Sequence, residues 1–212
     1  MKQIAVIGAG TMGIGIAHIM AQFGLKVSLI DLNEKILTES KKIISINIDR
    51  QIRKGTINEK QKKNILSNII FTKEFNESVK NVELVVEAVP ENFKLKKKLI
   101  KDLDLICKSD VIISSNTSSL SISNLAHKTR YSDRIIGMHF MNPVPVMPLV
   151  EIVVGTNTSK KTIDSIKALT KKINKSPLLV KDSPGFVSNR ILLPMINEAI
   201  ETLSQGVADV YS

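Results

Sequence analysis

In this 212-residue chain, the pair best suited to move a proton is His139 with Glu151. His139 follows the apolar run RIIGM and precedes FMNPVPVMP, a proline-rich turn that restrains the backbone. Glu151 comes twelve residues later, inside the next apolar run, LVEIVV. An imidazole with a carboxylate partner is a general base whose tautomer and charge are fixed. Sequence distance alone does not bring the two together, and a lone histidine is more ordinarily a solvated or capping residue. His18 and His127 are read in that ordinary way. Asn116-Thr117-Ser118-Ser119 follows DVIIS. Small hydroxyls beyond the carboxyl end of a strand can hold a substrate oxygen, or they cap the helix that follows. Asn189, in Ser188-Asn189-Arg190, either points to a cleft or lies on a helix surface.

A second constellation lies at the start. Residues 8–13 read Gly8-Ala9-Gly10-Thr11-Met12-Gly13, a G-x-G-x-x-G that follows the strand-like QIAVI and opens a helical pattern. In that context the motif is a dinucleotide fingerprint rather than a plain turn. Gly8 permits the tight turn, Gly10 lets the backbone approach a pyrophosphate, and Gly13 lets helix pack on strand. The helix N-terminus offers N–H groups and a partial positive charge to the phosphates. Asp31 ends the next strand, KVSLID, where a carboxylate accepts from ribose hydroxyls and repels a 2′-phosphate. The cofactor implied is NAD(H). The competing reading of Asp31 is a helix-capping residue.

Positioning these groups requires alternating strands and helices. Strands are expected at 3–7, 26–31, 69–72, 83–88, 110–115, 134–139, 149–154 and 178–182. Helices are expected from Met12 to Phe23, from an Asn33 cap to about Lys54, and from an Asn58 cap to about Leu66. Further helices are expected at 91–106, 159–173 and 187–205. The two helices within about 33–66 form a hairpin projecting from the sheet. The pattern is α/β: a Rossmann-like, doubly wound, mostly parallel sheet. It changes after Ser183-Pro184-Gly185. Residues 1–182 therefore form a nucleotide-binding domain, and 183–212 the start of an α-helical C-terminal domain.

Composition bounds the partners. The formal net charge is +10, but the lysines are spread over solvated helix faces without interleaved aromatics, so nucleic acid is not the expected partner. A polyanionic small molecule fits the charge equally well. No run approaches the ~20 apolar residues of a membrane span. The single cysteine, Cys107, excludes an internal disulfide and reads as a small buried hydrophobe. No metal site is expected, and the chain is read as soluble and cytoplasmic.

The motifs IGAGTMGIGIA, VVEAVPEN, SNTSSLSI, GMHFMNPVPVMPLVEIV and KDSPGFVSNRIL resemble, in order, those of the short-chain L-3-hydroxyacyl-CoA dehydrogenases. Within that family the bacterial 3-hydroxybutyryl-CoA dehydrogenases are most similar. The resemblance runs from residue 1 to about 207. It implies a hydride transfer between NAD(H) and a 3-hydroxyacyl-CoA/3-ketoacyl-CoA pair, with His139 as base and Glu151 as its partner. It also implies Ser118 and Asn189 on the substrate oxygens, Glu91 and Lys96 beside the cofactor, and Lys54 on coenzyme A. The lysine is otherwise a solvated helix end. Family members continue beyond the point matched by Ser212, completing the helical domain through which a homodimer is expected. Pro90 departs from the family pattern and is expected at the start of the 91–106 helix, where a proline is tolerated. Two rival readings remain: another NAD-linked hydroxy-acid dehydrogenase, or a nucleotide-binding fragment of weak activity.

Overall fold

The computed structural model describes residues 1–211. Ser212, the last residue of the expected helical domain, lies outside the described residues. β1 (Gln3–Ile7), α1 (Thr11–Gln22) and β2 (Lys26–Ile30) form a parallel crossover, with Gln3 opposite Lys26 and Ile7 opposite Ile30. α2 (Glu34–Arg53) and α3 (Glu59–Ser67) follow, each started by the expected asparagine. Asn33 accepts from Lys35 N–H, and Asn58 forms a reciprocal capping box with Gln61. Each such cap stabilises its helix by about 1 kcal/mol.

The chain continues through β3 (Ile69–Thr72), α4 (Phe75–Lys80), β4 (Leu84–Glu87), α5 (Phe93–Ile106), β5 (Ile112–Ser115) and α6 (Ile122–Ala126). It then runs through β6 (Ile135–Phe140), β7 (Leu149–Val154), α7 (Lys160–Lys172), β8 (Ser176–Lys181) and α8 (Ser188–Ser204). The sheet order is β3-β2-β1-β4-β5-β6-β7-β8. All neighbours are parallel except β6 and β7, which run antiparallel.

Alternation along β1 shows how the strands build two cores. Ile4 and Val6 join one apolar cluster with α1, α2 and α7 residues such as Ile16, Ile44 and Ile166. Ala5 and Ile7 join the other, with Val79, Ile100 and Leu125 from α4, α5 and α6. Burial on both faces is what a parallel sheet requires. Among the described residues, no helix is long and apolar enough to cross a membrane.

Several expectations are corrected. The α2–α3 hairpin does not stand clear of the sheet: Ile44, Ile48 and Ile65 are buried in the cluster that holds α1. α5 begins at Phe93 behind an Asn92 cap, so Pro90 lies in the preceding loop rather than at the helix start. β8 begins at Ser176, two residues earlier than read, because an outermost strand tolerates Pro177. α4 and α6 are too short to leave a period. His18 is neither solvated nor a cap: its side chain is buried within α1.

Candidate functional site

The site forms outside the carboxyl ends of β1, β4, β5 and β6. A cavity of about 660 Å³ is lined there by Gly8, Gly10, Thr11, Met12, Asp31, Glu91, Lys96, Asn116, Ser118, His139 and Asn189. The structure thus gathers eleven of the fourteen residues singled out from sequence. Gly13, Glu151 and Lys54 are absent from the lining.

The backbone of the glycine turn has the shape that a dinucleotide requires. Gly8 has φ 98°, and a Cβ there would come within 2.6 Å of the Ala88 carbonyl oxygen. A Cβ on Gly13 would come within 1.8 Å of the Gly8 carbonyl oxygen, so its place is helix packing rather than ligand contact. A Cβ on Gly10 would meet nothing within 4 Å: it would enter the space over the start of α1. α1 has neither a side-chain cap nor an acidic residue in its first turn, so that N-terminus suits an anion. Asp31 accepts from Ala9 N–H at 2.9 Å and Asn33 N–H at 3.0 Å, which ties the two turns together beside the cavity. An apolar recess of about 310 Å³ adjoins it, with Ile30, Leu32, Phe75, Leu95 and Leu99 around Gly8 and Asp31. The sequence reading missed this recess, whose parts come from four separate segments.

A buried charge network supports the cavity floor. Lys96 is 1% exposed and pairs with Glu87 at 2.6 Å and Glu91 at 3.3 Å. Its ammonium also donates to the Val89 carbonyl oxygen at 2.9 Å. Removing one member of such a pair typically costs about 3–5 kcal/mol, because the other charge stays buried. Glu91 Oε1 accepts from the Thr117 hydroxyl at 2.5 Å, from Ser118 N–H at 3.0 Å and from the Ser118 hydroxyl at 3.3 Å. Burial alone would raise the Glu91 carboxyl. The Thr117 hydrogen bond and the Lys96 charge outweigh it and hold the group below the ordinary carboxylate range. Asn116 accepts from Phe140 N–H at 2.9 Å and so joins β5 to the end of β6.

His139 and Glu151 are direct partners across the antiparallel β6–β7 pair. Directly opposed residues have Cβ atoms about 5 Å apart, which explains how twelve residues of chain bring them together. His139 Nδ1 lies 2.7 Å from Glu151 Oε2, and Glu151 is fully buried behind the imidazole. With Nδ1 engaged, Nε2 is the ring nitrogen left toward the cavity. Burial raises the Glu151 carboxyl. The bonds from His139 and from Ser188 and Val187 N–H outweigh burial and lower it overall. Between the two strands, the Lys175 ammonium donates to the carbonyl oxygens of Val144 at 2.6 Å and Met147 at 2.7 Å, bracing the proline-rich turn. Asn189 donates to the Ser118 carbonyl oxygen at 3.1 Å, so the two proposed substrate contacts lie side by side. Asn142 also lines the cavity and was not singled out from sequence. Lys54 is the exposed C-cap of α2.

A glycine turn at a helix start, an aspartate at the end of the next strand and an imidazole–carboxylate pair around one crevice are the arrangement of an NAD-dependent dehydrogenase. Family models agree: the 3-hydroxyacyl-CoA dehydrogenase NAD-binding domain matches residues 3–183, and the C-terminal domain of the same family matches 185–212. The chain belongs to the 3-hydroxyacyl-CoA dehydrogenase family. It is 44% identical to a 3-hydroxybutyryl-CoA dehydrogenase of Clostridioides difficile, over 97% of this chain and 73% of that protein. It is 42% identical to the mitochondrial hydroxyacyl-coenzyme A dehydrogenase of Homo sapiens, over 98% of this chain and 68% of that protein. The crystal structure of (S)-3-hydroxybutyryl-CoA dehydrogenase from Ralstonia eutropha superposes with a TM-score of 0.95 at 44% identity. That match covers 99% of this chain and 74% of the other.

Proposed function

We propose that the protein interconverts a short-chain 3-hydroxyacyl-CoA and the matching 3-ketoacyl-CoA with NAD(H), His139 acting as general base. The single observation carrying this reading is the buried His139–Glu151 pair at the edge of the dinucleotide crevice. A bound NAD⁺ would supply the acceptor for the hydride of the C–H bond at the hydroxyl-bearing carbon. His139 Nε2 takes the hydroxyl proton as that bond breaks, and Glu151 stabilises the resulting imidazolium. Ser118 and Asn189 orient the substrate oxygen against His139. The glycine turn, Asp31, Glu91, Lys96 and Asn116 hold the cofactor, and Lys54 meets the coenzyme A phosphates outside the cavity. The 3-hydroxybutyryl-CoA dehydrogenase names of the similar proteins support the short acyl chain.

The same proposal divides the chain at 182/183, supported by family models that end at 183 and resume at 185. It includes action in the cytoplasm, supported by the absence of any second cysteine to pair with Cys107. It also includes homodimer formation through the helical domain when that domain is complete.

The test is His139→Gln. We expect kcat for acetoacetyl-CoA reduction to fall about 10²-fold or more, the scale of general acid–base catalysis. NADH affinity should stay within about twofold. A near-normal kcat removes His139 as the base.

A further inference from the structure

The turn between β8 and α8 is built in an unusual way. Phe186 lies in the left-handed region, with φ 51°. For a bulky side chain that conformation is strained and persists only where the surroundings enforce it. A phenylalanine that merely filled the core would not need it. Phe186 is 2% exposed, and its ring packs on the His139 imidazole with centroids 5.7 Å apart and planes at 60°. The next two backbone N–H groups, of Val187 and Ser188, donate to Glu151 Oε1 at 3.0 and 2.8 Å. The other oxygen of that carboxylate holds His139. The left-handed turn thus directs one side chain and two N–H groups onto one imidazole–carboxylate pair.

α8 depends on this arrangement. It has no side-chain cap, no acid in its first turn and no buried residue of its own. Glu151 supplies the missing acceptor and the negative charge that a helix N-terminus favours. Asn189, the next residue, adds its bond to the Ser118 carbonyl oxygen. We propose that Phe186, Val187 and Ser188 form a latch through which the His139–Glu151 pair sets the position of α8. Phe186 is then a positioning residue for the His139 ring. The latch rests on the reading of that pair as the catalytic base. It makes the placement of Asn189 and the orientation of the imidazole parts of one unit.

Amide hydrogen exchange on the full chain, together with NADH binding and acetoacetyl-CoA turnover, separates the two ideas. In Glu151→Gln the side-chain carbonyl still accepts from Val187 and Ser188, so protection at those amides should persist. Its amide faces His139 Nδ1 without charge, so kcat should fall at least about 10²-fold. In Glu151→Ala both effects are lost, and exchange at 187–188 should speed up at least about tenfold as the cap disappears. Phe186→Leu keeps much of the volume but removes the ring. It should shift the His139 ring proton resonances, lower kcat and leave NADH affinity within about twofold, with a larger kcat loss in Phe186→Ala. Unchanged exchange at 187–188 in Glu151→Ala overturns the latch. Wild-type turnover in Glu151→Gln with protection intact overturns the base reading instead. If Phe186→Ala fails to bind NADH because it does not fold, Phe186→Leu and the two Glu151 variants still decide.

Discussion

His18 predicts an acid sensitivity that begins well above the carboxylate range. Its side chain is fully buried in α1, and neither ring nitrogen makes a hydrogen bond of normal geometry, although Gln51 lies close. Burial lowers its pKa from 6.5 to about 4, only partly opposed by Gln51. The folded state therefore holds the ring neutral while the unfolded chain takes up a proton below 6.5. Between those two values the unfolded state binds more protons, so stability falls as pH falls. Linkage gives a loss of about 2 kcal/mol on going from pH 7.5 to 5, approaching about 3 kcal/mol near pH 4. The assay is urea unfolding across pH 5 to 7.5 for wild type and His18→Leu. Leucine fills a similar volume and carries no proton, so the variant should lose most of this slope. Because His18 lies on the helix that begins at the glycine turn, NADH should offset part of the loss by binding the folded state. Equal pH slopes in the two proteins would refute the argument.

The remaining predictions concern ligands and surface. Asp31→Ser should weaken NADH and strengthen NADPH, shifting the preference by about tenfold or more, because the carboxylate that repels a 2′-phosphate is gone; calorimetric titration with both cofactors measures it, and equal preference before and after removes Asp31 from the role. Lys54→Glu should raise KM for the acyl-CoA, and added salt should weaken the wild type more than the variant; initial rates at two ionic strengths check this. One face of α8 exposes Leu192, Met195, Ile196 and Leu203 at 44–59%. That apolar face should drive self-association, so a version extended by the helices of a longer relative should scatter less light and give a higher kcat/KM.

Much of this molecule can be read in its residues, and the unread parts share a cause. The β1–α1–β2 unit is local: its glycine motif, apolar periods and Asp31 all fall within a few turns of chain. The helix starts at Asn33 and Asn58 are equally local, since each cap bonds its own first turn. His139 and Glu151 were chosen by type, but their contact depends on the single antiparallel pairing in the sheet. The expectation of a mostly parallel sheet does not say which pair runs antiparallel, so it contains no such register. Lys96 sits among Lys94, Lys97 and Lys98, so the chain reads it as one more solvated lysine. Only the resemblance singled it out. Its burial is decided by Glu87 at the end of β4. Phe186 carries no local sign of a left-handed backbone beyond its neighbour Gly185. Its conformation is set by His139 and Glu151, more than thirty residues back.

Three carboxylates explain why the crevice is organised before any ligand enters. Glu91 holds segment 117–119, Glu151 holds 187–188, and Asp182 accepts from the Ser121 hydroxyl and from Ile122 and Ser123 N–H at the start of α6. Burial raises each of them, yet hydrogen bonds outweigh it in all three and leave each below its ordinary value. Each therefore stays charged at neutral pH and fixes backbone that lies beyond a strand end. In the proposed reaction, Ser118 sits on backbone held in this way, Asn189 directly follows such a segment, and the other oxygen of Glu151 holds the His139 side chain. Ordering them in advance removes a reorganisation cost from the chemical step. The exchange required is local: the Ser118 hydroxyl must leave Glu91, 3.3 Å away, to meet a substrate oxygen. Glu91 keeps its Thr117 and Ser118 N–H donors when that happens, so the segment need not move with the hydroxyl.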